Sequence, residues 1–315
     1  MQAVSQKNFT IQGSSKTKTA IEKFMTVVFF VCGIAAVAAV IGITVYMIIA
    51  GSPALAKVGV LEFLFGSEWL PTAAEPKFGI LNFLLTSIIG TLMAIIVGVP
   101  VSLLTAVFLS ELAPPVMYKV VRPAVELLAG IPSVIYGIIG AKLLVPFMGI
   151  FETAIFKDDP NHTFTGGSNL ISAVIVLAIM ILPTIVNVSE TALRAVPHEY
   201  KEASLALGAS HIQTIFRVMI GAARSGIVTS IVLGVGRAIG EAMAIIMVAG
   251  NVANFPLPFN SVRFLTTAIV SDMSYAAAGL HRESLFGIGL VLFVFIMIIN
   301  FVVNIMLKGN SKKEK

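Results

Sequence analysis

Arg237 and Glu241 stand four residues apart within an otherwise apolar run from Ser225 to Gly250. A charged side chain at the centre of a bilayer costs roughly 2.5 to 3.5 kcal/mol on insertion scales, so such a run tolerates one only with compensation. At this spacing on a helix the two side chains share a face and can pair. Two kinds of chemistry are open to them. A buried pair can fix helix packing, or the guanidinium can exchange its carboxylate for an anion, to which it offers a planar fork of donors for two oxygens at once. Glu241 would then balance the charge between binding events and keep the anion weakly enough held to leave. Ser230, seven residues before Arg237 on the same face, either packs or lines a path. Gly236 and Gly240, in small-xxx-small spacing, let this helix pack closely against a partner.

The elements that must position these residues are membrane spans. Of the 315 residues 57% are hydrophobic and 12% charged, with a mean hydropathy of +0.97, which leaves too little polar surface for a soluble domain of this length. The net charge of +5 is spread over short loops and tails, a positive-inside pattern and not a nucleic-acid footprint. Cys32 is the sole cysteine, and His162, His198, His211 and His281 have no ligand spacing, so neither a disulfide framework nor a metal site is expected. No Gly-Lys dipeptide occurs, which excludes the phosphate-gripping loop of P-loop ATPases. No Ser/His or carboxylate pair at a shared depth suggests an enzyme.

Six helical spans are expected, at about 24–50, 78–110, 124–148, 169–190, 225–250 and 284–307, because only closed helical backbone suits lipid and no other repeat is visible. Residues 1–23 and 308–315 read as polar tails, and 24–307 as one transmembrane domain. The first apolar run is long for a signal-peptide core, so it should stay in the protein despite the cleavage-like Ala54-Leu55-Ala56. Trp69, beside Phe63-Leu64-Phe65, is expected at the outer headgroup level. The third span, with Gly130-Ile131-Pro132-Ser133 and Gly137, should be kinked or closely packed, and Lys142 within it should snorkel outward. Fourteen of the 21 lysines and arginines fall in tails and loops on one side and five on the other. Both termini are therefore expected inside.

The inner loop, 191–224, carries more order than a connector needs. Pro197 can open a helix with Tyr200, Ala203 and Leu207 on one face, and Gly208 can close it. Ser210 to Gln213 fits a capping box for a second helix, whose Ile212, Ile215, Phe216 and Met219 recur at helical spacing. An amphipathic interfacial hairpin would look the same. A DNA-binding helix-turn-helix would need more than Arg217 and His211 for contacts, and spans tether both of its ends.

Glu202-Ala203-Ser204, then Gly208, then Val218-Met219-Ile220-Gly221 resembles the EAA loop of ABC importer permeases. Ser204 replaces the second alanine, and Gly221 stands where that family usually has proline. The resemblance implies that Glu202, Ala203 and Gly208 are core positions of a coupling helix docking on a separate cytoplasmic ATPase. Gly234 to Ala244, reading Gly-Arg-Ala-Ile-Gly-Glu-Ala-Met-Ala from Gly236, and Leu128 to Gly137 are similar to the phosphate-importing branch of that family, with Ala242 where relatives often carry threonine. This likeness covers nearly the whole chain. It implies an all-α, MetI-like type I permease fold in the bacterial inner membrane, with Arg237 and Glu241 in the substrate path. It also implies inorganic phosphate as cargo and three kinds of partner: a second homologous permease, two ATPase subunits and an extracytoplasmic phosphate-binding protein. ATP and Mg would belong to the ATPases, with no cofactor in this chain. A guanidinium attracts any oxyanion, so sulfate or molybdate stays open as cargo. So does an ATP-independent secondary transporter or channel, with the charged pair as an ion or proton site.

Overall fold

A computed structural model describes residues 16–311. Helix α1 runs Lys16–Val58 and α2 Val60–Phe65; β1 (Trp69–Leu70) and β2 (Lys77–Phe78) form a small antiparallel hairpin. Helix α3, Leu81–Val107, continues into a π-helical turn, Phe108–Leu112, and α4 spans Pro115–Gly130. Helices α5 (Ser133–Ile139) and α6 (Val145–Ile155) are joined by a π-helical turn, Gly140–Leu144. Helix α7 is Leu170–Arg194 and α8 His198–Ala206, followed by α9 (His211–Gln213), a π-helical turn (Thr214–Met219) and α10 (Ile220–Ala222). Helices α11 (Arg224–Gly240), α12 (Leu265–Asp272) and α13 (Leu280–Ser311) complete the chain. Of the described residues, those up to Ile49 form one compact unit and those from Ala50 a second.

Among the described residues five helices are long and apolar enough to cross a membrane: Lys18–Val58, Leu81–Leu112, Ser133–Ile155, Leu170–Arg194 and Leu280–Ile299. The segments His211–Ala222 and Arg224–Gly240, which meet at 73°, make a sixth if they are counted as one broken span. Several bounds differ from those expected. The tail 1–23 lies partly outside the described residues, but α1 already begins at Lys16, because no glycine or proline separates that lysine from the apolar run. The C-terminal tail likewise starts later, since α13 extends to Ser311. The expected third span at 124–148 is divided: α4 stops at Gly130, Ile131 turns extended with ψ 127°, and Pro132 cannot continue the helix. The helix long and apolar enough to cross is Ser133–Ile155 instead.

Helix α7 is the hub. In its apolar stretch 61% is buried, against 33% for Leu81–Leu112 and 28% for Leu280–Ile299. Lipid tails are as apolar as leucine, so close packing holds such helices together more than burial itself. Gly98 of α3 and Gly234 of α11 permit it. A methyl at either would come within 2.8 Å of Ile181 or Ile185 on α7. The Ser189 and Ser230 hydroxyls, 2.7 Å apart and buried, fasten α7 to α11. Ser230 is thus a packing residue.

Trp69 is packed inside the protein instead of facing headgroups. It is buried beside Phe63, Phe78, Ile80 and Phe83, with α12 and α13 supplying Leu265, Ala268, Leu285 and Ile288. Its indole Nε1 donates to Asp272 Oδ2 at 3.1 Å, and that bond is what makes full burial of a tryptophan tolerable.

Candidate functional site

Helix α11 ends sooner than the sequence pattern suggests, and this separates the two charged residues. After Gly240 the backbone of Glu241 is extended, with ψ 129°. Its side-chain Oε1 accepts from Ala244 N at 3.0 Å, and its carbonyl accepts from Thr266 Oγ1 at 2.7 Å. The carboxylate therefore caps the turn that leads to Ile245–Met247, as a helix N-cap would. The expected helical pairing of Arg237 with Glu241 is absent, because the two no longer share a helix. The expected span 225–250 is correspondingly a 17-residue helix, about 25 Å long at 1.5 Å per residue, followed by packed turns in which Ala244, Ile245, Val248 and Ala249 are buried.

Arg237 is left half-buried in the last turn of α11. Among the described residues no carboxylate pairs with it; Nη1 lies 3.4 Å from Thr184 Oγ1, near the middle of α7. The last-turn carbonyls offset part of its charge, since a cation is favoured at a helix C-terminus. Arg237 also sits at an edge of α11. On one side Gly226, Ser230 and Gly234 pack against α7. On the other, Thr229, Leu233, Gly236 and Gly240 are exposed, and a methyl on Gly236 or Gly240 would meet nothing within 4 Å. The close helix approach expected at Gly236 and Gly240 is therefore made, within this chain, at Gly226 and Gly234, which face α7.

The helical hairpin between α7 and α11 has two arms that cross at a glycine. Helix α8 follows Pro197, Gly208 takes φ +84° at the turn, and Ser210 and Gln213 cap each other reciprocally. Positive φ is the region in which glycine alone escapes Cβ strain. Glu202 and Ala203 are exposed on α8, as are Tyr200, Leu207, Ile212 and Phe216. Ile215 and Met219 turn inward onto Leu193, Val125 and Leu109, so only half of the apolar positions on the second arm face the core. The other half, with Leu207, forms an uncovered surface. Ser204 and Thr214 join the arms through hydroxyls 2.9 Å apart, and Lys201 Nζ reaches Glu111 Oε2 at 2.6 Å.

Beneath the hairpin lies a charge network that sequence reading missed. Glu190 is fully buried near the C-terminal end of α7 and accepts at Oε1 from Arg122 Nη1 (2.9 Å) and Arg194 Nε (2.8 Å). Arg122 also donates to Glu126 and to the Tyr118 hydroxyl, and Arg194 Nη2 donates to Leu109 O. Both guanidiniums stand over the Tyr118 ring, Arg194 at 4.8 Å and Arg122 at 5.9 Å from its centroid. The Glu126 hydrogen bond, ahead of the charge of Glu190, holds the pKa of Arg122 above its ordinary value. Helices α3, α4 and α7 are tied at this point, beside the hairpin. The local signal was the i, i+4 spacing of Glu190 and Arg194; Arg122 could not be placed from spacing.

Two further clusters lie toward the opposite end of α7. Glu152, fully buried, accepts from His162 Nε2, Thr165 N and Gly167 N. Arg263 pairs with Asp272, which also holds Trp69. Lys142 is exposed in its π-helical turn.

The family described as binding-protein-dependent transport system inner membrane component matches residues 98–314. A probable ABC transporter permease protein, YqgH, of Bacillus subtilis is 38% identical over 86% of this chain and 87% of its own length. The phosphate transport system permease protein PstC of Xylella fastidiosa is 33% identical over 88% and 87%. Its counterpart in Haemophilus influenzae is 36% identical over 74% and 76%. In fold, the chain is similar to a subunit of the inward-facing MetNI methionine ABC transporter, with a TM-score of 0.51 at 19% identity over 73% of this chain and 94% of that one. Broken spans around a central α7, a helical hairpin between α7 and α11 and these matches agree: the chain is a multi-pass ABC transporter permease belonging to the binding-protein-dependent transport system inner membrane component family.

Proposed function

We propose that this chain is the permease subunit of an ATP-driven importer of inorganic phosphate in the bacterial inner membrane. The observation that carries the reading is Arg237: a half-buried guanidinium level with the middle of α7, with no carboxylate partner among the described residues. A cation kept in a span at such cost without a counter-charge has donors to spare for an anion. The identities to PstC proteins of about one third over most of the chain support phosphate as that anion. Glu241, spent on capping Ala244, sets where α11 ends and so where Arg237 projects. It shapes the path without neutralising the guanidinium.

The open face of α11 around Gly236 and Gly240 suits a second, homologous permease, so that the path lies between two subunits. The Glu202, Ala203 and Gly208 hairpin docks on one of two cytoplasmic ATPase subunits, which hold the ATP and Mg. An extracytoplasmic phosphate-binding protein loads the opposite face. Closure of the ATPases moves the hairpin, and the Glu190 network passes that movement to α3, α4 and α7. The concentration of lysine and arginine on the hairpin side supports an orientation with both termini inside.

Cells carrying the chain with its companion subunits, given labelled phosphate or sulfate at low concentration, test the reading. ATP-dependent phosphate uptake that sulfate does not compete away is expected. Preference for sulfate would change the cargo, and uptake surviving ATP depletion would overturn the class.

A further inference from the structure

Asn187 is an amide between Val186 and Val188 in the most buried span. Its Oδ1 is buried and has no hydrogen-bond partner among the described residues. An unanswered amide within a membrane span is costly, and residues of this kind mark paths for polar cargo. Two further polar side chains share its side of α7. At 100° per residue Thr184, Asn187 and Thr191 fall within about 60° of one another. Thr184 is the residue that Arg237 touches, at 3.4 Å. The opposite side of the helix, with Ser189 bonded to Ser230, is closed against α11.

The stripe leads somewhere. Just beyond Thr191, Ala192 and Ala195 join Gly221, Ser225 and Gly226, with Arg217, in lining a cavity of about 730 Å³ at the foot of α7 and α11. Small residues there leave room for an anion with its water.

We propose that Thr184, Asn187 and Thr191 form the inner leg of the oxyanion path, carrying the anion from Arg237 to the cavity on the hairpin side. This rests on Arg237 being the anion site of the proposed importer. The chemistry suits release. Turning the Asn187 amide presents two N–H donors where the buried oxygen now stands, and neutral donors stabilise an oxyanion enough to leave the guanidinium without trapping it. A full charge at this point would hold the anion back.

The complete importer, purified with its companion subunits and reconstituted, allows two measurements. In uptake of labelled inorganic phosphate, Asn187→Leu should lower the maximal rate about tenfold, the size expected for losing one hydrogen bond to a charged group. Half-saturation should be unchanged, and Asn187→Ser should restore most of the rate. Wild-type uptake by Asn187→Leu beside complete loss in Arg237→Gln overturns the inner leg and leaves the importer reading standing. Uptake surviving in Arg237→Gln overturns both. The second measurement does not depend on activity. In a Cys32→Ser background, a membrane-impermeant anionic methanethiosulfonate added on the hairpin side should label Asn187→Cys at least tenfold faster than Ser189→Cys, which lies two residues away on the closed face. Equal rates overturn the inner leg.

Discussion

Arg194 and Arg237 are the same residue type, each in the last turn of one of two helices that pack together, yet their surroundings differ in kind. Arg194 is clasped by Glu190, bonded to the carbonyl of Leu109 and laid over Tyr118. Arg237 has one long contact with a threonine. An arginine that builds structure arrives with its carboxylate, because a buried charge without one is costly. The contrast is that Arg237, unlike Arg194, has no carboxylate partner among the described residues, which suits the anion-binding role proposed for it. Arg263 with Asp272, and Glu152 with its ring of donors, follow the pattern of Arg194. Each of these charged groups has an oppositely charged or hydrogen-bonding partner within the chain.

The comparison can be broken at its structural arm first. Glu190→Gln removes the anion that Arg122 and Arg194 share, and the loss of one partner in such a buried network costs about 3 to 5 kcal/mol. Thermal unfolding of the purified complex should shift down by several degrees; an unchanged midpoint would mean that the network is ornamental. Asp272→Ala comes next, at about 2 to 3 kcal/mol, since it strips partners from both Arg263 and Trp69. Trp69 is the only tryptophan, so its emission should move to longer wavelength as the indole meets water. Emission that stays in place would argue against the Asp272 anchor.

Gly208→Ala forces a side chain into φ +84°, a strain of about 1 to 2 kcal/mol. Nothing crowds the site, so the effect belongs to the turn, and stimulation of ATPase activity by loaded binding protein should fall while assembly persists. Unchanged coupling would contradict the docking role of the hairpin. Ser230→Ala is the smallest change. It removes the Ser189 hydrogen bond for about 1 kcal/mol, and uptake should be unaffected, since Ser230 packs and does not line a path.

The all-helical membrane fold was legible because apolar runs of span length admit few other structures. The hairpin was legible from Pro197, Gly208 and the Ser210-to-Gln213 box, which are local signals. The break after Gly240 was not. Nothing in Gly-Glu-Ala-Met-Ala announces that the Glu241 carboxylate will capture Ala244 N, and the i, i+4 spacing of Arg237 and Glu241 argued for a pair that the turn forbids. Trp69 misled for a related reason. An outer tryptophan fits headgroup depth, and only Asp272, some two hundred residues away in sequence, makes its burial possible. Long-range partners decided both cases, as they did for Arg122 with Glu190.

The most direct test of the role given to Arg237 is phosphate uptake by the complete importer carrying Arg237→Gln, measured beside the unfolding midpoint of the same complex. Uptake should be lost while the midpoint stays at the wild-type value, because no carboxylate among the described residues depends on this guanidinium. Retained uptake with a lowered midpoint would contradict that role and make Arg237 one more structural arginine.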